Sequence, residues 1–289
     1  MKHKALFVGL TTIDIQYFID DMPVVNTKIK TGNPDILVGG PATNAAVAFA
    51  YLNKTATLAS PAGLNAFSSF IDQDLNRVGV DHFDLAYGQE FETILATVLT
   101  SKNGDRTIVT HNPKEVKSTI SPQKLIDLVK PQVVLIDGFY PEFSIECVRI
   151  CREQEIPVVA DCGSWKPQFV DLLNDVDIAI CSADFMPPNC ETREDLFDFM
   201  TAKNIHSVAI SNGGAEIEFL SKEKKGSVKV PEVKVMDTLG AGDFLHGAFC
   251  YYLLENTDFE KALQNAAFLA SFTCSFEGTR KWLNFNHNA

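Results

Sequence analysis

The chain has 289 residues, 46% of them hydrophobic, and a formal net charge of −12. This composition supports a large core, and the acidic balance argues against nucleic acid as a partner, because phosphate backbones are held mainly by Lys and Arg. No apolar run is long enough to cross a bilayer, and the apolar part of "MKHKALFVGL" is too short for a signal peptide, so cytoplasmic residence without a membrane partner is expected.

In chain order, "ALFVGL" reads as a buried opening strand, and "ATNAAVAFAYL" has a small, apolar helical character. "TATLAS", "VVLIDG", "VVADCG", "DIAICS" and "SVAISN" are short apolar runs ending in polar residues or glycine. Helical patterns such as "SIECVRICREQ" and "TREDLFDFMTAK" lie between them, and this alternation predicts an α/β fold with a mainly parallel sheet covered by helices on both faces. Ligands of such sheets gather at the carboxyl ends of the strands, where Asp137, Asp161, Ser182 and Asn212 fall. "DIQYFIDDMPVVN" and "ILATVLTSKNGDRTIVTHN" break the pattern with β-branched or alternating character, and Asn103-Gly104 is a hairpin-turn signal. They predict a small antiparallel sheet, contributed by residues of about 15–38 and 91–112 as insertions into a single domain spanning 1–289. Such a sheet is read as a lid or as a surface hairpin. "SKEKKGSVK" reads as a solvated hairpin tip.

Seven cysteines form no C-x-x-C pair and read as buried apolar side chains. Neither G-x-x-x-x-G-K-[ST] nor G-x-G-x-x-G nor G-x-S-x-G is present, which removes the central residues of a P-loop, a dinucleotide fingerprint and a hydrolase elbow. What does stand out is "DTLGAGDFLHGAF", starting at Asp237. If a helix begins at Gly240-Ala241-Gly242, its free N–H groups and dipole make an anion hole that small residues leave open to a phosphate. Asp243 beside that hole could take a proton from an alcohol attacking the phosphate; the alternative is an ordinary helix start with an acid in its first turn.

This run resembles the carboxyl-terminal signature of the ribokinase/PfkB carbohydrate kinase family. "GGPATNAAVAFAYLN", Gly39 to Asn53, is similar to that family's other signature, with Gly63 at a matching distance. The resemblance covers nearly the whole chain and implies a ribokinase-like fold with a small β-sheet lid. It also implies ATP as phosphoryl donor, Mg²⁺ bridging phosphate oxygens, and a small sugar as acceptor, phosphorylated on a hydroxymethyl group by in-line transfer. Asp243 would be the base and the Gly240, Ala241 and Gly242 backbone the anion hole. Asp14, Gly39, Gly40 and Asn44 match sugar-binding positions. Ser211 and Gly213 resemble the start of the nucleotide loop. Thr238 is a further candidate for nucleotide binding, and Ala266, Ala267 and Ala270 fit a helix face against adenine.

Other residues are read with two roles each. Arg106 could reach from the lid to substrate or phosphate, or be a surface charge. Asp137 and Asp161 could touch sugar or metal-bound water, or cap helices and turns. Lys166 could neutralise phosphate charge, Trp165 could stack on a base, and His246 reads as packing. Where the family often carries Asn-x-x-Glu, this chain has "CSADF", with Ser182 and Asp184 as imperfect substitutes. Asp161 and Asp184 are the metal candidates. "GGPATNAAVA" and "FLHGAF" look more like the ketose-directed branch, including fructose and sulfofructose kinases, than like ribokinase proper. A nucleoside kinase and a non-catalytic sugar- or nucleotide-binding relative are the alternatives. The lid could cover its own site or pair with that of a second copy in a homodimer.

Overall fold

Alternate residues of the short apolar runs face opposite sides of one sheet, and this sets the layering. Strand β1 (Ala5–Val8) buries all its residues, Ala5 and Phe7 in one core and Leu6 and Val8 in the other. The same division holds for β8 (Val133–Ile136), where Val133 and Leu135 oppose Val134 and Ile136. The computed structural model describes residues 2–111, 114–255 and 258–286; Asn112, which closes the second predicted lid segment, lies outside them.

After β1 come β2 (Thr12–Ile19), β3 (Asp35–Gly39), α1 (Pro41–Asn53), β4 (Ala56–Ser60), α2 (Ser68–Arg77), β5 (Val80–Asp84), β6 (Ile94–Ser101) and β7 (Arg106–Thr110). Next are α3 (Pro122–Val129), β8, α4 (Pro141–Glu153), β9 (Val158–Cys162), α5 (Phe169–Leu172), β10 (Ile178–Ser182) and α6 (Arg193–Ala202). The chain continues through β11 (Ser207–Ser211), β12 (Ile217–Ser221), β13 (Lys224–Val228), α7 (Ala241–Leu254) and α8 (Phe259–Thr273). Among the described residues the main sheet has the order β13-β12-β11-β10-β9-β8-β1-β4-β5. It is parallel except at β12 and β13, which close it as an antiparallel hairpin. The strand order reverses at β1, and the carboxyl ends around that switch point form the crevice where ligands of such sheets bind. Helices α1, α7 and α8 cover one face, and α3, α4, α5 and α6 the other.

The second sheet has the order β3-β2-β6-β7. It is mixed rather than antiparallel: β2 and β6 pair in parallel, while β3 and β7 return antiparallel to them. The reason is topological. β2 and β6 each leave the main sheet after a strand of that sheet and run the same way, and only their hairpin partners turn back. Gly104, at φ +88°, makes the predicted turn between β6 and β7. At the carboxyl end "LQNAAFLASFTCSFEG" forms most of α8 and the turns after it, and α8 pairs with α7. "SKEKKGSVK" does form a hairpin tip, turning at the exposed Lys222 and Glu223.

Candidate active site

Two helix starts meet at the crevice. α1 begins after Gly40 with Pro41 in its first turn, where a missing N–H costs nothing. α7 begins after Gly240, whose left-handed φ of +75° lets the chain turn abruptly into the helix. The two helices cross at Gly247, where an added Cβ would lie 1.9 Å from the carbonyl oxygen of Ala45. That close approach brings Asn44 of α1 to Asp243 of α7: Asn44 Nδ2 donates to Asp243 Oδ2 at 2.9 Å. In the first turn of α7, Ala241 N–H bends back to the Thr238 carbonyl at 3.3 Å. Gly240, Gly242 and Asp243 therefore carry N–H groups with no acceptor among the described residues, and a Cβ at Gly242 would meet nothing within 4 Å. Of the three residues the sequence placed at the anion hole, only Ala241 has its N–H taken up, and Asp243 adds a further open donor.

A cavity of about 240 Å³ lies against Asp243, lined on its polar side by Thr12, Asp14, Gly40, Asn44 and Thr110. Ile94, Ala96, Val98, Ile108 and Leu239 supply an apolar wall; His111 also lines the cavity, and among the described residues no Lys or Arg does. Thr12 Oγ1 donates to Asp14 Oδ1 at 2.6 Å, while burial raises the Asp14 pKa against the pull of that bond and of Arg280. Gly39 is buried at the end of β3 beside Asp14. Asp137, read as a sugar contact or a cap, is a cap: its carboxylate accepts the N–H groups of Leu10, Ala42 and Phe139 at 2.8, 3.2 and 3.0 Å. It is 2% exposed and does not line the cavity, because it ties the end of β1 and the start of α1 to the end of β8.

The floor beneath Asp243 is rich in acids. Burial and the nearby Asp161 push the Asp243 carboxyl up to about 7, opposed by the Asn44 bond and by His246. Burial and Asp137 push Asp161 to about 7 as well, with Lys166 opposing. His246 is not mere packing. Its Nε2 lies 3.2 Å from the Ile180 carbonyl, and its Nδ1 lies 3.4 Å from Asp161 Oδ2. A carbonyl only accepts, so Nε2 carries the ring proton that faces it. Burial lowers the His246 pKa, and among the described residues Nδ1 and Asp161 Oδ2 have no hydrogen-bond partner. Asp184 is exposed, and among the described residues no three His, Cys, Asp or Glu side chains converge on a metal position.

On the far side of α7, Arg106 Nη1 donates to Thr238 Oγ1 at 3.1 Å, so the second sheet reaches the glycine-rich turn. Gly213 is exposed at φ +53°, and Ser211 donates to the Cys181 carbonyl. The predicted adenine face is corrected in part: Ala266 and Ala267 are buried where α8 packs into the core, and Ala270 stays partly exposed. Trp165 is likewise occupied, packed among Phe169, Phe185 and Phe199, and the Lys166 ammonium lies 4.5 Å over the Phe139 ring.

Three site residues were missed. Asp237 is buried and accepts from Leu239 N–H, Gly278 N–H and Gln16 Nε2, the last at 2.6 Å, which ties the turn to β2 and to the chain after α8. Gln16 also donates to Thr100 Oγ1 at 3.0 Å. Arg280 donates to Asn44 Oδ1 at 3.1 Å and to the Val38 carbonyl at 2.5 Å. Asp237 stood inside the quoted motif; Gln16 and Arg280 carried no local signal.

A model described as pfkB family carbohydrate kinase matches residues 2–284. A ribokinase of Dictyostelium discoideum is 26% identical over 320 residues, covering 97% of this chain and 97% of the relative. The solved ribokinase of Giardia lamblia superposes with a TM-score of 0.82 at 17% identity, over 97% of this chain and 96% of that one. Arabidopsis thaliana ribokinase, solved with ribose and ATP, gives a TM-score of 0.77 at 21% identity, over 99% and 100% of the two chains. These two likenesses are of the fold.

Proposed function

The chain belongs to the pfkB family of carbohydrate kinases, and from that premise we propose that it transfers the γ-phosphoryl group of ATP to a hydroxymethyl group of a small, uncharged sugar, with Asp243 as general base. The observation that carries this reading is the position of Asp243. One oxygen is held by Asn44, and the residue stands where the cavity meets the open N–H groups of Gly242 and Asp243. The other carboxylate oxygen can then accept the proton of the acceptor hydroxyl. As the acceptor hydroxyl oxygen bonds to phosphorus, the bond from phosphorus to the ADP oxygen breaks in line, and the proton ends on Asp243. Charge on the transferring group falls against the N–H donors at the positive end of α7. Mg²⁺ would take its ligands chiefly from phosphate oxygens and water, and would neutralise charge there.

The uncharged acceptor follows from the lining. Asp14, Asn44 and Asp243 suit hydroxyl groups, and a lining with His111 but no Lys or Arg offers a phosphorylated or sulfonated sugar little strong charge pairing. The second sheet acts in this reading as a lid, with Arg106 reaching Thr238 from above, and its exposed Ile36 and Val109 offer a surface to a second copy's lid. An ADP-release screen over ketoses, aldoses, sugar phosphates and nucleosides tests the proposal. Turnover is expected with an uncharged sugar, falling by about 100- to 10,000-fold in Asp243→Asn with sugar binding retained. Turnover of nucleosides alone would overturn the substrate class. A parent enzyme that binds sugar and ATP and transfers no phosphate would favour a non-catalytic relative.

A further inference from the structure

Asn44 was read as a sugar contact, yet both ends of its amide are occupied. Nδ2 donates to Asp243 Oδ2 at 2.9 Å, and Oδ1 accepts from Arg280 Nη1 at 3.1 Å. A side-chain amide can turn over and exchange its oxygen and nitrogen, so something must fix which end faces the base. A guanidinium has only donors, and the end of Asn44 facing Arg280 must therefore be the oxygen. The NH₂ group is then obliged to face Asp243, where it favours the ionised carboxylate.

Arg280 is itself held firmly. Its Nη2 donates to the Val38 carbonyl at 2.5 Å and its Nη1 to the Thr279 carbonyl at 3.1 Å. On either side, Gly278 N–H is anchored on Asp237 Oδ2 and the indole N–H of the fully buried Trp282 on the Thr279 carbonyl. Val38 is fixed from its other side, its N–H donating to Asp74 Oδ2 at 3.1 Å. Burial works against the Arg280 charge, and Asp74, Asp14 and Asp243 work for it. The side chain does not line the cavity.

We propose that Arg280 is a positioning residue for phosphoryl transfer, acting through Asn44 to fix the direction in which the Asp243 carboxylate presents its free oxygen. It also joins β3 of the second sheet, through Val38, to the base. This rests on the reading of Asp243 as base, so the experiment includes Asp243→Asn as a separate arm.

Steady-state ADP release is measured for Arg280→Met, Asn44→Ala and the double variant, with folding checked by circular dichroism. Each single variant is expected to lower kcat by about 10- to 100-fold, as for a misplaced reacting group. The double variant should be no worse than the poorer single, because both break one relay. Arg280→Gln, whose amide can still donate to Asn44, should recover part of kcat. Should Arg280→Met fail to fold, Asn44→Asp decides the matter. The carboxylate it introduces can accept from Arg280 but cannot donate to Asp243, so kcat must fall. Losses from the two single variants that multiply, or parental kcat in Asn44→Asp, would overturn the proposal. Parental activity in Asp243→Asn would overturn the base itself.

Discussion

Gly242 and Gly247 lie less than two turns apart on α7 and are predicted to fail in opposite ways when changed to Ala. At Gly247 the new methyl would sit 1.9 Å from the Ala45 carbonyl oxygen, whereas ordinary contact begins near 3.4 Å, so the helices must part by about 1.5 Å. Overpacking of this kind costs about 1–3 kcal/mol. For a chain of this size that lowers Tm by about 2–5 °C. If α7 moves as a rigid body, the Asn44–Asp243 distance grows from 2.9 Å to about 4.4 Å, beyond hydrogen bonding. kcat should then fall by about 100-fold even in the folded fraction. At Gly242 the methyl meets open space, and Ala is the better helix former, so Tm should hold or rise. The methyl instead stands where a phosphoryl group would approach the free N–H groups, and losing one such contact costs about 100- to 1,000-fold in turnover. Thermal unfolding and ADP release on the two variants, side by side, check the reasoning. Parental Tm and kcat in Gly247→Ala would refute the role of the helix crossing. A destabilised but fully active Gly242→Ala would refute the anion hole.

Asp243 must be ionised to accept a proton, so kcat/KM should rise with pH and level off above about 7. Removing the neighbouring charge in Asp161→Asn should move that limb to lower pH. Stability runs the other way. The folded-state pKa values of Asp161 and Asp243, both about 7, lie above the ordinary carboxylate value of 3.8. The folded protein therefore binds these protons more tightly than the unfolded chain, and their contribution is present at low pH and lost as pH rises through about 7. Tm of Asp161→Asn relative to the parent should accordingly increase between about pH 5 and 8; a flat difference would refute the buried pair. Asp137→Asn, which offers one acceptor oxygen where three backbone N–H groups converge, should lose about 1–3 kcal/mol of stability in denaturant titration. The KM for sugar should stay near parental, and a rise without loss of stability would restore Asp137 as a sugar contact.

The parallel sheet was legible because its strands are buried on both faces and read as short apolar runs, as "VVLI" does with every residue enclosed. β5 was not, since "VDHFD" is an edge strand with only Val80 buried and carries the polar composition of a loop. The parallel pairing of β2 with β6 was equally hidden. Register between segments some 80 positions apart is set by the strands each one follows, not by anything within them.

The candidate site divides along the same line. Asp243, Asn44 and the glycines sit in two compact motifs, where local backbone shape and chemistry coincide and can be read together. Asp137 and Asp161 were visible as polar residues at strand ends, but which of two roles each takes depends on what the fold sets opposite. Three N–H groups from three places in the chain face Asp137, and His246 from α7 faces Asp161. Arg280 lies 236 positions from Asn44 and 242 from Val38, and no spacing rule joins them. A charge that orients another side chain, without touching a ligand, needs no motif, because its requirements are met by geometry contributed from elsewhere. Residues of this kind appear only when the hydrogen-bond partners of a recognised base are followed outward, and here that path runs from Asp243 through Asn44 to Arg280 and on to the edge of the second sheet.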